Sequence, residues 1–366
     1  MKRGLQIIVA ALCAGSGSLQ AADWSLIKHE GRDYVTIGNV ADFYGLGTVS
    51  RVNNDFGLRE SRRSLRGAVG STELYINGLK FILSYPVIEQ DAQVLVSRMD
   101  LSKVIEPVMR PSRIKNAENV NTVILDPGHG GHDNGATCSL GMEKDFALDV
   151  AFRARDILQE RGFRVYLTRT GDYFVPLEQR TRYANAYKNA IFISIHFNAG
   201  GTAATGVETY TLAPQGVPSM AADGPRVTDY QRCAGNSRDA ENMALATATH
   251  SALVAYSGMY DRGIKRARFV VIRDITIPGV LIEGGFVSSS VDSRKLGTTQ
   301  YRQQMAHCIA VAVRNYRRAV GSSEQPSVVV SARRPAVSDF APAASAALAV
   351  GQSTANEPVV VTPTAH

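Results

Sequence analysis

Val123-Ile124-Leu125-Asp126-Pro127-Gly128-His129-Gly130-Gly131-His132-Asp133-Asn134-Gly135-Ala136 is the stretch from which the fold of this 366-residue chain is read. Its first residues form a short apolar run that reads as a buried strand, and Pro127-Gly128 ends it. Glycines at 128, 130, 131 and 135 let the backbone turn tightly and come close to a ligand. His129 is therefore expected at the carboxyl end of a strand, where open α/β sheets hold their sites. One loop histidine is a weak signal and needs partners.

Partners follow downstream. Glu143 opens a helical pattern whose apolar face is Phe146, Leu148, Val150, Ala151, Ala154, Ile157 and Leu158. As a first-turn acid it could do no more than complement the helix dipole. The run Ala190-Ile191-Phe192-Ile193-Ser194-Ile195-His196-Phe197-Asn198-Ala199-Gly200-Gly201 repeats the device of the first stretch, an apolar strand closed by a histidine and small residues. Two strands of one parallel sheet would bring His129 and His196 to the same rim. With Glu143 they make a two-histidine, one-carboxylate set, the ligand count of a catalytic zinc ion that keeps a fourth position open. Gly279-Val280-Leu281-Ile282-Glu283-Gly284-Gly285-Phe286 is again an apolar strand, here ending in a carboxylate. Burying Glu283 there is costly without a role or a partner, and a general base beside the metal is the expected role.

The ordered motifs LDPGHGGHDNGA, GMEKD, SIHFNA, GVETY and PGVLIEGGFVS, spread over roughly residues 120 to 320, resemble the zinc-dependent N-acetylmuramoyl-L-alanine amidases of the family-3 type. That resemblance implies hydrolysis of the amide joining the lactyl group of N-acetylmuramic acid to the L-alanine of the peptidoglycan stem. It also implies one zinc ion held by His129, Glu143 and His196, with Glu283 as catalytic base. Asn198 and Glu208, in the third and fourth motifs, sit where they orient His196 and bound water or are satisfied by backbone. Arg169, Asp172 and Arg180 recur in the family's pattern and are read as a structural charge cluster around a turn. The last motif usually reads ELGF; Gly284 replaces the leucine, and looser packing beside the base is expected. His132 falls at a position the family leaves free and is read as solvent-facing. His250 and His307 are read as packing or surface residues.

The expected fold class is α/β, a mostly parallel sheet flanked by helices, preceded by a small α+β domain. Residues 1–22 have the basic, apolar and small-residue parts of a secretory signal. Residues 23–112 are the small domain, in which Asn77-Gly78 marks a tight hairpin turn between Leu74 and Leu83. This region resembles, more loosely, the N-terminal-like domain of copper amine oxidases; no copper follows from that, and wall binding is its expected role. Arg51, Arg59, Arg62, Arg63 and Arg66 form a basic stretch expected around a loop, facing solvent or the carboxylates of stem peptides. Residues 113–120 are the linker, 121–320 the catalytic domain, and 321–366, rich in Pro, Ala, Ser and Val, a disordered tail. Residues 213–235, with Pro214, Gly216, Pro218, Gly224 and Pro225, follow a strand of the catalytic sheet and are expected near the cleft, where a gate is conceivable.

Four cysteines are present, and Cys13 leaves with the signal. Cys138, Cys233 and Cys308 are an odd set, compatible with one disulfide and one free thiol in an oxidising compartment. Cys138 lies between two proposed ligands, but the family pattern gives a cysteine no role there. A net charge of +7 suits an anionic wall polymer. It would suit nucleic acid too, but the signal and the lack of a nucleic-acid motif argue against that. The expectation is an exported hydrolase of the periplasm, cell envelope or extracellular space, with no membrane span after signal cleavage. Its expected substrate is peptidoglycan, and a protein regulator is a further expected partner. Cell-wall remodelling or daughter-cell separation is the expected process. The residues alone leave open a zinc peptidase or amidase acting on soluble muropeptides, and a non-catalytic wall-binding protein.

Overall fold

Thr122–Pro127 (β1) is buried at all six positions, as a strand must be when both faces of its sheet are covered. In the computed structural model, which describes residues 24–115, 117–222 and 224–321, β1 lies inside such a sheet. The signal segment, Cys13 and the tail beyond Gly321 lie outside the described residues. After β1 come Glu143–Glu160 (α1), Arg164–Leu167 (β2), Leu177–Asn185 (α2), Ala190–Asn198 (β3) and Val207–Leu212 (β4). Asp239–Tyr256 (α3), Asp261–Ala267 (β5), Gly279–Phe286 (β6) and Thr299–Gly321 (α4) complete the region.

The strand order is β2-β1-β3-β6-β4-β5. The pairs β1/β2, β1/β3, β3/β6 and β4/β5 are parallel, and β4/β6 is antiparallel. Alternation along the strands divides the core in two. Val123, Leu125, Ile193, Ile195, Val280 and Ile282 pack with α1, α3 and α4. Ile124, Phe192 and Leu281 join a smaller cluster with Ala184 of α2 and Val271 and Ile272 of the short helix Val270–Arg273. The expected α/β class is what the chain adopts.

The antiparallel β4 corrects one expectation. Because β4 runs against β6, its carboxyl end and the segment 213–235 leave from the edge opposite His196 and Glu283. That segment is tied down where it lies: the Gly216 amide donates to Asp229 O at 2.7 Å, and Arg268 Nη2 donates to Pro214 O and Asp229 O, each at 2.8 Å. It is not near the cleft and does not gate it.

Upstream, the Asn-Gly turn joins Glu73–Ile76 to Leu79–Ile82, with Asn77 and Gly78 both at positive φ as a primed turn requires. The arginine-rich stretch flanks a turn, as expected: Arg62 lies in the turn between Asp55–Glu60 and Arg63–Ala68, and these strands with Ser50–Val52 continue the antiparallel ribbon, with Arg51 paired to Glu89 at 2.9 Å and Arg66 stacked over Tyr75. The ribbon joins the larger sheet through a parallel pairing of Phe81 with Ile264 of β5. A second small sheet holds Ile27–His29, Arg32–Thr36, Gln93–Ser97 and Ile88–Gln90. The join is also electrostatic. Buried Asp100 accepts from the amides of Ser84 and Tyr85 and the Ser97 hydroxyl, and faces buried Arg266 of β5 at 3.4 Å.

Candidate metal centre and active site

His129 occupies the left-handed region at φ 58°, followed by Gly130 at 129° and Gly131 at 61°. A histidine tolerates this conformation only where its surroundings enforce it. The enforcement comes from two buried arginines. Arg169 donates to Pro127 O, Gly128 O and Lys144 O, and Arg180 donates to Pro127 O, His129 O and the buried Asp126 carboxylate. Asp172 holds the same loop through the Gly131 amide and Lys144. The expected structural cluster is thus a clamp on the loop that carries His129. Thr168 and Ser194 donate to the two oxygens of Asp126, so its charge is fully engaged.

Two glycines decide how close the pieces come. A Cβ on Gly135, itself at positive φ, would lie 2.5 Å from Glu143 Oε2 and 2.6 Å from the His129 ring, and a Cβ on Gly128 would collide with the His196 ring. Only bare backbone fits between these side chains. Glu143, at the first position of α1 and 4% exposed, then reaches both histidines. Its Oε1 is 3.0 Å from His129 Nε2 and 2.9 Å from His196 Nδ1, and it also accepts the Phe197 amide. Its Oε2 accepts the Ala136 amide.

One donor atom from each of the three lies within 4.8 Å of the others, and His129, Glu143 and His196 are the one such metal-holding group among the described residues. An ion bound tetrahedrally at 2.0–2.1 Å needs its ligand atoms about 3.3 Å apart, and the two Glu143–histidine distances, 3.0 and 2.9 Å, come within a few tenths of an ångström of that. The electrostatics agree. Burial disfavours protonated His129, yet Glu143 and Asp133 outweigh it and raise its affinity for positive charge. Burial likewise disfavours ionised Glu143, but the two imidazoles hold it well below the usual carboxylate range.

Asp133 was not legible as a site residue in the sequence. Its Oδ2 lies 2.9 Å from His129 Nδ1, fixing the ring so that Nε2 points at Glu143. The only signal was its spacing, four residues on within the same loop. Glu283 pairs in register with His196 on one side and with Glu208 on the other. Its Oε2 is buried and, among the described residues, has no hydrogen-bond partner. Burial, then the Glu143 and Glu208 carboxylates, push Glu283 well above the ordinary range, with Lys265 pulling the other way.

Asn198 and Glu208 meet each other, the Asn198 amide donating to Glu208 Oε2 at 3.4 Å. Neither shows a bond to His196. Glu208 is instead the centre of a polar cluster with Arg262, Lys265 and Tyr210. The packing beside Gly284 is not loose. A Cβ there would meet Met305 Cε and Phe197 Cε1, each at 2.7 Å, so these two side chains fill the place of the missing leucine. His132 is exposed, tilted against Phe174. His250 is fully buried, bridging Thr209 and Asp261. Cys138, Cys233 and Cys308 are all free, and burial pushes the Cys308 thiol up to about 12.

A family model described as N-acetylmuramoyl-L-alanine amidase matches residues 123–315, and the chain belongs to that family. It is a hydrolase of the family-3 amidase type. Uncharacterized protein YqiI of Bacillus subtilis (strain 168) is 36% identical, over 53% of this chain and 84% of its own. N-acetylmuramoyl-L-alanine amidase AmiA of Salmonella typhimurium is 31% identical, over 56% of this chain and 78% of its own. Among solved structures, the catalytic domain of CwlV, an N-acetylmuramoyl-L-alanine amidase from Bacillus (Paenibacillus) polymyxa var. colistinus, is 31% identical with a TM-score of 0.45, covering 54% of this chain and 98% of that one.

Proposed function

We propose that this amidase is zinc-dependent and cuts the lactyl–L-alanine amide of peptidoglycan outside the cytoplasm, in cell-wall remodelling or daughter-cell separation. The observation that carries this reading is the convergence of His129, Glu143 and His196 beside a buried carboxyl oxygen, Glu283 Oε2, that no group among the described residues satisfies. His129 Nε2, His196 Nδ1 and Glu143 are the groups that would hold the metal. Zinc bound there supplies a Lewis acid and acidifies water.

The remaining work belongs to the chain. Asp133 keeps the His129 ring in one tautomer, and the Phe197 and Ala136 amides aim the Glu143 carboxylate. Glu283 takes the proton of the attacking water and returns it to the departing alanine nitrogen. Its raised proton affinity suits a group that must do both. Residues 23–112 serve as a wall-binding domain, the positive balance of the chain favouring the anionic polymer. A protein regulator of the amidase is part of the same proposal. Among the described residues no helix is long and apolar enough to cross a membrane. Export by residues 1–22 is part of the same proposal.

The test is digestion of whole sacculi by the purified full-length protein, with and without chelation and zinc replacement, read by mass spectrometry. Zinc-restored release of peptides that begin with L-alanine is the expected result. Cuts inside the stem would indicate a peptidase. Activity on soluble muropeptides alone would move the substrate away from the wall, and binding without any product would indicate a wall-binding protein.

A further inference from the structure

Three strands beyond β1, the site continues into a cluster that the hydrolytic machinery leaves unexplained. The strand order β3-β6-β4-β5 and the registers His196↔Glu283, Glu283↔Glu208 and Tyr210↔Lys265 put His196, Glu283, Glu208, Tyr210 and Lys265 on one face. Two cations converge there on a single oxygen: Arg262 Nε at 2.5 Å and Lys265 Nζ at 2.7 Å from Glu208 Oε1. Glu208 Oε2 is occupied by the Tyr210 hydroxyl at 2.8 Å and the Asn198 amide. The nearest further acid in sequence, Asp261, is engaged by His250 and by the amides of Lys80 and Gly263. Glu208 therefore faces two cations, one of which, Lys265, also acts on the Glu283 carboxylate beside it. Neutralising Glu208, itself 2% exposed, required only one of them.

Both cations keep access to solvent, with side chains 31% exposed for Arg262 and 17% for Lys265. Arg262 is pre-oriented by stacking on Phe286, its guanidinium carbon 4.9 Å from the ring centre. We infer that Arg262 and Lys265 form a carboxylate-binding subsite for the peptide stem of the substrate, an inference that rests on the amidase reading above. Strands lie about 4.8 Å apart, and Lys265 leans back over β4, so its charge stands roughly two strand spacings, about 10 Å, from His196. An extended peptide covers about 3.3–3.6 Å per residue, so the group received is a free carboxylate two to three residues beyond the scissile amide. The stem accordingly runs from the metal ligands across β6 and β4 toward β5.

The test compares two muropeptides that differ only at the second stem residue, one with a free carboxylate there and one with the carboxamide, using full-length zinc-loaded protein. The wild type is expected to favour the acid through KM. Lys265→Gln and Arg262→Gln should each raise KM for the acid roughly ten-fold or more, with kcat less affected, and should shrink the acid-to-amide preference. Lys265→Arg should restore it. Melting temperature and zinc content are read on each preparation, and if one Gln variant does not fold the other carries the comparison. A variant that loses equally on both substrates, or in kcat alone, would show that the pair only supports Glu208, and the subsite would be withdrawn. So would a wild type indifferent to the substitution, provided a substrate carrying a third-residue carboxylate is equally insensitive to its amidation. If the wild type cleaves neither muropeptide while cutting some other bond, the amidase reading itself fails, which is a separable outcome.

Discussion

Asp133 Oδ2 stands 2.9 Å from His129 Nδ1, and this contact fixes which nitrogen of the ring faces Glu143. Removing it frees the ring to rotate and to take the other tautomer. Asp133→Ala should therefore weaken zinc binding about 10- to 100-fold while the fold persists, since Asp133 lies at the surface of the loop. Competition against a chelator of known affinity measures this, and unchanged zinc affinity would remove Asp133 from the support of the site.

His129→Ala, Glu143→Ala and His196→Ala should each abolish both stoichiometric zinc and activity, because each takes away one of three protein ligands. Metal analysis after dialysis gives the answer, and a variant that keeps one zinc per chain would strike its residue from the ligand set.

Glu283→Gln preserves shape and should preserve zinc. Turnover should fall by roughly 10²- to 10⁴-fold, with sacculus binding little changed because the contacts remote from the cut are intact. Near-normal kcat with full zinc would mean that Glu283 moves no proton in the reaction.

The buried pair Asp126–Arg180, at 2.8 Å, predicts an acid limit on stability. Burial alone would raise Asp126, but Arg180, Thr168 and Ser194 outweigh it and hold the carboxyl below its ordinary 3.8. That stabilisation is complete above pH 3.8 and is lost as the pH falls through the depressed folded-state value. Arg180→Met strands a buried charge and should cost about 3–5 kcal/mol. Thermal melts from neutral to acid pH should show the wild type losing stability on that limb, with Arg180→Met already low at neutral pH.

Asp100 and Arg266 predict that the described residues before the catalytic region, from 24 on, are not a detachable attachment. A fragment beginning near Asn121 would leave Arg266 buried without its partner and expose the β5 edge that Phe81 covers. Its melting temperature should fall clearly below that of the full chain. Equal melting temperatures would show that the junction contributes nothing.

What the sequence disclosed and what it hid follow one physical division. His129, Glu143, His196 and Glu283 each stand where an apolar run meets a glycine-rich turn or a helix start, so local pattern alone marks them. Asp133 escaped because a loop carboxylate has no pattern until its partner's ring orientation is known. Lys265 and Arg262 escaped because alternation within β5 says nothing about which strand lies beside it. The direction of β4 misled for the same reason: a strand's own residues do not tell whether its neighbour runs with it or against it, and the segment 213–235 was assigned to the wrong edge.

Gly284, Phe197 and Met305 carry a consequence for descent rather than for chemistry. A side chain at 284 has no room while Met305 and Phe197 stand where they do, and shortening Met305 with glycine still at 284 would open a cavity beside β6. Either change alone is penalised, whereas a side chain at 284 joined to a shorter residue at 305 has only Phe197 left to displace. The positions are thus epistatic, and lineages carrying the glycine should carry a long, flexible residue at 305, whereas those with the usual leucine should carry a smaller one.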